Sequence, residues 1–238
     1  MLRRVSRALA ALVAAAILAG VAAPALAGVD QVKLRLPLKP RLPLRGNERI
    51  ALAPFIVVTD AEKAKDKRLA NVDLQGEFHR FLKKQLEKKT KFDIVLTPAD
   101  LKLPTQNLTE LAKDREFWTA VGAQTTSEIV VSGSLEFKVE DRSGYKTEEY
   151  TSPIDGRTYY RQVLVEETGF EFDILMQVYD GATGDLLYQD NFKDFKTLEG
   201  AGADPVQGMF QNLFALEDRI VGIFAQKDVE ATRALFKP

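Results

Sequence analysis

Residues 169–196 narrow the choice of fold more than any other part of the chain. At 170–178, apolar side chains alternate with mostly polar ones, which is the period of a β-strand with one buried face. Residues 180–185, DGATGD, supply two glycines and two aspartates, which favour a tight turn. Apolar residues resume at Leu186 but alternate less regularly, which predicts a return strand with a bulge near Asp190. The segment therefore predicts a long β-hairpin.

Other apolar residues follow strand and helix periods along the chain. Residues 49–58 are almost continuously apolar, as expected for a central strand covered on both faces. Asp204 and Pro205 form a typical helix start, and the apolar stripe after them continues to about Ala225. This last helix should pack on the sheet. The further predicted elements are a helix at 71–90, strands at 92–96 and 128–140, and short helices at 108–112 and 114–121.

A polar, tyrosine-rich segment at residues 141–168 separates two predicted strands. Its centre, residues 152–156, contains the turn residues proline, aspartate and glycine, so we expect a protruding β-ribbon. Tyrosine offers a large contact area with a polar end, which suits recognition. The same rings are equally suited to a cross-strand ladder, and both roles are compatible on opposite faces. The candidate partner-binding residues, expected near the ribbon tip, are Tyr145, Tyr150, Tyr159 and Tyr160.

The composition argues against several classes of protein. The chain has 238 residues, 45% of them hydrophobic and 28% charged, which is ordinary for a globular protein. Without the three arginines of residues 1–27, 30 basic residues face 34 acidic ones, a net charge of −4. A nucleic-acid-binding protein would normally show a basic excess. The chain contains no cysteine, which excludes thiol catalysis, disulfides, cysteine-held zinc and a lipid attached to cysteine.

Both ends of the chain are expected to lie outside the folded domain. Residues 1–27 combine arginines, an apolar run and small residues, which predicts a signal peptide cleaved after Ala27 and a periplasmic or secreted protein. The run at 8–23 is shorter than the about 20 residues that span a bilayer, which disfavours an uncleaved anchor. Residues 28–48, rich in proline and basic residues, predict an extended tether, either solvated or lying against an anionic surface. Residues 228–238 are expected to be a tail.

The residue patterns do not predict catalysis or metal binding. The common nucleophile, zinc-protease, Walker and dinucleotide motifs are missing. His79, the sole histidine, falls on the polar side of its predicted helix, where we expect it to be solvated. Turn chemistry explains Asp180 and Asp185, because a calcium loop needs more oxygen ligands at fixed spacing. We therefore expect no catalytic residue, no metal site and no cofactor.

An ordered set of motifs covers most of residues 49–227. The motifs are RIALAPF at 49–55, FLKKQL at 81–86, FDIV at 92–95, VGA at 121–123, IVVSGS at 129–134 and YDGATGDLL at 179–187. Together they resemble the motifs of envelope proteins related to the curli-secretion protein CsgG and to the amino-terminal domain of TolB. The last motif is similar to the D-x-x-T-G-x-x-L turn of that group.

The resemblance implies an α/β fold with a mixed β-sheet and helices packed mainly on one face, to which the residues at 141–168 add the protruding β-ribbon. It implies a single domain at residues 49–227, with the ribbon inserted at 141–168, that binds other envelope proteins and is not an enzyme. The chain differs from the lipoproteins of this group because it lacks an anchoring cysteine. Because the ribbon is expected to carry charges on both faces, any membrane association should be peripheral.

Three hypotheses for function follow. The first is a non-enzymatic periplasmic protein that binds another envelope protein through the ribbon or an exposed sheet face, in the assembly or secretion of envelope structures; it is compatible with homo-oligomerisation. The second is an envelope hydrolase, which requires paired carboxylates with separated pKa values in a pocket. The third is a small-molecule carrier, which needs an apolar cavity of about 300 Å³ or more. The candidate carboxylates are Glu136, Glu140, Glu166 and Asp173.

Overall fold

The computed structural model describes residues 29–58, 69 and 72–236. The predicted signal peptide at 1–27 and most of the polar loop after residue 58 lie outside these ranges. Contacts divide the chain into two units, residues 38–227 and a smaller unit that contains most of the first and last strands. The described elements are β1 (Val29–Leu38), β2 (Arg49–Val58), α1 (Leu74–Lys89), β3 (Asp93–Leu96), α2 (Leu108–Leu111), α3 (Arg115–Thr125), β4 (Ile129–Asp141), β5 (Gly144–Thr151), β6 (Thr158–Val165), β7 (Glu167–Asp180), β8 (Leu186–Glu199), α4 (Pro205–Val221) and β9 (Lys227–Phe236).

Five described strands form the main sheet, in the order β3-β2-β4-β7-β8. Strand β2 runs parallel to β3 and to β4, whereas β7 is antiparallel to both of its neighbours, β4 and β8. Parallel neighbours need a crossover connection. Helix α1 lies between β2 and β3 in the chain, and α2 and α3 lie between β3 and β4. The predicted mixed α/β sheet is therefore confirmed.

Helices cover both faces of the sheet. The larger core includes Phe78 of α1, Phe172 of β7 and Leu213 of α4, all buried. A smaller core on the opposite face stacks Trp118 of α3 on Tyr179 of β7, with ring centroids 4.0 Å apart. The two long helices, α1 and α4, share one face, as the expectation of helices mainly on one face requires, and the shorter α2 and α3 cover the other. Strand β2 is apolar on both faces because both are covered.

The predicted hairpin is formed by β7 and β8, each 14 residues long. Its bulge lies beside the turn and not near Asp190. The register shifts after the Val178–Tyr188 pair, which places Leu187 in the bulge. The turn at 180–185 closes with a 2.9 Å backbone hydrogen bond between its first and last residues, so the extra residue is accommodated next to the turn.

This turn packs on α3 and on the start of β4. The Gly181 N–H donates to the Glu128 carbonyl oxygen at 2.7 Å, and Arg115 of α3 forms an ion pair with Asp185. A Cβ added to Gly122 of α3 would lie 2.2 Å from the Gly181 oxygen. Glycine is required at Gly122 because the two backbones approach too closely for a side chain. The turn therefore ties the hairpin to α3.

Strand β2 contains an irregularity at Ala53 and Pro54. Proline has no N–H for the ladder, which explains a bulge where it interrupts a strand. Two side chains bind the carbonyl groups of these residues: His79 Nε2 donates to the Ala53 oxygen at 3.0 Å, and Ser132 Oγ donates to the Pro54 oxygen at 2.6 Å. His79 is consequently half-buried, and the expectation that it is solvated is wrong.

The predicted tether at 28–48 and tail at 228–238 are largely structured. Strands β1 and β9 pair in a two-stranded sheet of their own. Within this sheet Arg35 and Glu230 form an ion pair, with Arg35 Nε 3.5 Å from Glu230 Oε1. Pro37 is tolerated because it occurs next to the end of its strand, where a missing N–H disturbs the ladder little.

The second half of the predicted tether is fixed to the larger unit. Leu42 is buried, and its N–H donates to the Ile223 carbonyl oxygen at 2.9 Å. The Glu48 carboxylate accepts hydrogen bonds from the backbone N–H groups of residues 45–47. Burial alone would raise the pKa of Glu48, but these donors hold it below its ordinary value.

Candidate functional site

The predicted ribbon is a hairpin of β5 and β6 whose register fixes which side chains share a face. Tyr150 lies directly opposite Tyr159, and Tyr145 lies opposite Leu164. Because successive side chains in a strand point to opposite faces, Tyr145 and Tyr160 lie on one face, and Tyr150 and Tyr159 on the other. Tyr145 is at the base of the ribbon, which corrects the expectation that all four tyrosines lie near its tip.

Tyr150 and Tyr159 belong to a closed network on what we call the ladder face. Their ring centroids are 5.9 Å apart, and the Arg161 guanidinium lies 5.2 Å from the Tyr150 centroid. Arg161 also binds Glu148 at 2.8 Å. The Tyr159 hydroxyl donates to Asp155 at 2.6 Å and thereby lowers the pKa of that carboxyl. These contacts hold the two strands together and leave the rings only 39% and 42% exposed.

Tyr145 and Tyr160 occupy the opposite surface, which we call the tyrosine face. These two side chains are 74% and 72% exposed, and Leu164 beside Tyr145 is 56% exposed. Leu164 and Tyr160 are four residues apart on one strand, so the two aromatic side chains are about 13 Å apart along the ribbon. The tyrosine face is formed by Tyr145, Thr147, Glu149, Thr151, Thr158, Tyr160, Gln162 and Leu164.

Charge is unevenly divided between the two faces. Within the two strands, Glu149 is the charged residue of the tyrosine face, whereas Lys146, Glu148 and Arg161 all belong to the ladder face. Lys146 forms an ion pair with Glu167 at the base of the ribbon. On these two strands, the expected charges on both faces are therefore present, but the tyrosine face carries Glu149 alone. The register places the uncharged threonine and glutamine side chains beside the exposed tyrosines.

The candidate carboxylates lie among ion pairs. Glu136 of β4 and Asp173 of β7 are direct cross-strand neighbours. Lys138 lies 3.1 Å from Glu136 and 3.3 Å from Glu171, and the hydrogen bond from Lys193 lowers the pKa of Glu171. Glu140 forms an ion pair with Arg142 at 2.6 Å, and Glu166 is exposed at the ribbon base. Glu136 and Glu140 thus pair with basic residues two positions along the chain, and Lys138 also pairs across to Glu171 of the neighbouring strand, as is common on a sheet surface.

A cavity of about 590 Å³ lies where β3 ends beside β2. One wall is the first turns of α1, including Asp73, the residue that caps this helix, and His79. The other wall is the loop after β3, including Lys102. None of the four candidate carboxylates lines this cavity. The cavity was missed at the level of sequence because its walls come from segments with no shared motif.

His79 is positioned in this cavity by its hydrogen bond to the β2 bulge. Burial lowers the pKa of His79 below its ordinary value of 6.5, against the opposing effects of the Ala53 carbonyl and the Asp73 carboxylate. The imidazole is therefore neutral at pH 7. Since a carbonyl oxygen only accepts hydrogen bonds, Nε2 carries the hydrogen and Nδ1 is unprotonated.

Across the described ranges, no group of three or more His, Cys, Asp or Glu side chains is arranged to hold a metal ion. No helix among the same residues is both long and apolar enough to cross a membrane.

No protein-family model matches the chain, and no curated protein matches it. Several solved structures do match. A hypothetical protein from Chlamydia trachomatis has 17% identity and a TM-score of 0.43, with 74% of this chain and 96% of that chain covered. A PelC dodecamer from Paraburkholderia phytofirmans has 11% identity and a TM-score of 0.33, with 81% and 97% covered. A lipoprotein from Neisseria meningitidis has 12% identity and a TM-score of 0.35, with 73% and 98% covered. At these values the matches carry no argument about function.

Proposed function

We propose that this chain is a non-enzymatic periplasmic protein that binds another envelope protein through the tyrosine face of its β5–β6 ribbon, in the assembly or secretion of envelope structures. The observation that carries the proposal is the division of the four tyrosines. Tyr150 and Tyr159 are engaged in ribbon contacts, while Tyr145 and Tyr160 are almost three-quarters exposed. The ribbon register holds these two large aromatic side chains outward on one face, where their exposure leaves them available to a partner.

The chemistry of the tyrosine face favours a protein partner. Tyrosine surrounded by small hydroxyl and amide side chains is typical of recognition surfaces, because the rings contribute contact area and the neighbours adapt their hydrogen bonds. The side-chain contacts on the ladder face hold the two strands together. Tyr145 and Tyr160 are therefore in place before binding, which reduces the entropy lost on association.

The compartment in this proposal rests on the sequence. Residues 1–27 have the features of a signal peptide, and the ordered motifs of residues 49–227 resemble those of envelope proteins related to CsgG and the amino-terminal domain of TolB. The acidic balance of the remaining chain disfavours nucleic acid as the partner. A second copy of the chain is one of the partners that the experiment below would detect.

Affinity capture with variants of the tyrosine face tests this proposal. The tagged protein is used to capture envelope proteins, and Tyr145→Ala/Tyr160→Ala is compared with the parent. We expect capture of the specific partner to fall at least about 30-fold, the effect of losing a binding hot spot of about 2 kcal/mol. The melting temperature should hardly change, because both side chains are exposed.

Phe214→Ala is the control for the loss of an exposed aromatic side chain elsewhere: Phe214 of α4 is 57% exposed, and because its ring also contacts Phe81 and Phe210, the melting temperature of this variant is measured as well. This variant should capture the partner as well as the parent protein does. Equal capture by the parent and the double tyrosine variant would contradict the proposal, as would a loss of capture that merely follows a loss of folded protein.

A further inference from the structure

The cavity beside β3 arises from the topology of the parallel strands. β3 has four residues and pairs with residues 49–52 of the ten-residue β2. The helices that follow the two strands in the chain lie on opposite faces, since α1, after β2, packs in the larger core and α2 and α3, after β3, pack in the smaller one. The cavity lies beyond the carboxyl end of β3, beside residues 52–55 of β2, and crevices beyond the carboxyl ends of parallel strands are the usual ligand sites of open α/β sheets.

The lining combines an apolar surface with polar groups that fix orientation. Leu96, Leu101 and Leu103 are among its accessible apolar residues, and Gln75 and Gln106 add amide groups. The volume of about 590 Å³ lies in the range of small-molecule sites. An occupant of this cavity therefore has both apolar and polar parts.

Charges of opposite sign occur on the two walls. Asp73 is on the α1 wall, where its Oδ1 accepts the Gly76 N–H at 2.9 Å, and Lys102 is on the loop wall. A purely anionic ligand at the start of α1 would meet the Asp73 carboxylate, which already occupies the place that suits an anion. A purely cationic ligand would be repelled by Lys102. A ligand with one charge of each sign complements both walls.

We infer that this cavity binds a short zwitterionic peptide with apolar side chains, its ammonium group near Asp73 and its carboxylate near Lys102. The apolar lining receives the side chains, and the glutamine amides are available to the peptide bond. A dipeptide presents its two charges at opposite ends, as two charged walls require. This site is separate from the tyrosine face, and neither proposal depends on the other.

The sole histidine provides a probe for the test. Leucyl-leucine is titrated into the purified protein while the His79 ring carbon Cε1–H signal is followed by NMR, which reports one residue because the chain has one histidine. We expect a saturable shift of this signal. N-acetyl-leucyl-leucine amide, which has the same side chains and no charges, should bind at least about tenfold more weakly, because it loses both charge-assisted hydrogen bonds.

Charge-removing variants complete the test. Asp73→Asn keeps a good helix cap and Lys102→Met keeps the length of the side chain, and each should weaken binding about tenfold. Lys84→Met, which removes an exposed lysine of α1 that does not line the cavity, should bind like the parent. The inference is overturned if the signal does not move at about 10 mM leucyl-leucine, where a millimolar site would be filled. Equal binding of the blocked peptide, or parental binding by both cavity variants, would also overturn it.

Discussion

At the scale of single residues, one hydrogen bond from His79 joins helix α1 to the bulge of β2. His79 was expected to be solvated because it falls on the polar side of its predicted helix. Its position follows instead from Pro54, which disrupts β2 beside a carbonyl group that His79 binds. A proline inside an apolar strand was a visible sign of a bulge. Which side chain would satisfy the bulge depended on how α1 packs, and the sequence does not reveal that.

The position of His79 predicts a dependence of stability on pH. The pKa of His79 is lowered in the folded protein, so the unfolded state takes up this proton more readily and the free energy of unfolding falls as the pH drops below about 6.5. His79→Gln keeps an N–H donor and does not titrate, so this part of the fall should disappear. Chemical denaturation at about pH 7.5 and about pH 5.5 measures the difference.

Carboxylates with lowered pKa values should contribute little to the difference in stability between about pH 7.5 and about pH 5.5. The pKa of Glu48 is also lowered, but its stabilisation is complete above its ordinary value of 4.5 and is lost only as the pH falls through the folded value. Glu48 therefore contributes little between the two conditions. An equal loss of stability in the parent and in His79→Gln would show that His79 is not responsible.

At the scale of elements, local patterns were predictable and distant pairing was not. The β7–β8 hairpin follows from the alternation at 170–178 and from the turn that joins its strands, because both are contained in one segment. Strands β1 and β9 were missed because they pair across almost the whole chain. The ribbon tyrosines were all identified, but dividing them between faces required the register of β5 and β6, which the sequence leaves undetermined.

The contact between α3 and the hairpin turn predicts a large difference between two glycine substitutions. Gly122→Ala places a Cβ 2.2 Å from the Gly181 oxygen, so it should destabilise the protein by about 1–3 kcal/mol although alanine favours helices. Gly144→Ala is the matched control, because an added Cβ there has no heavy atom within 4 Å. It should change the free energy of unfolding by less than about 0.5 kcal/mol. Equal denaturation midpoints for the two variants would show that the close contact is not important.

At the scale of the whole molecule, the larger unit consists of a sheet covered by helices and a projecting ribbon. The sheet, with helices on both faces, buries the apolar residues of the alternating strands. The ribbon instead carries exposed tyrosines on one face and a network of paired side chains on the other. The mixed sheet could be predicted from the order of elements and the family resemblance. The second helical layer could not, because α2 and α3 are short and the position of α3 depends on its contacts with the hairpin turn.

The proposed function is best tested by site-specific photo-crosslinking at two adjacent positions of the ribbon. A photoreactive phenylalanine analogue replaces Tyr160 or Tyr159 in the protein produced in intact cells, and the adducts are identified by mass spectrometry. These neighbouring side chains lie on opposite faces, and Tyr159 packs against Tyr150. We predict a discrete adduct with one envelope protein from position 160 and little from position 159. Equal adducts from both positions, or an adduct from position 159 alone, would contradict binding through the tyrosine face.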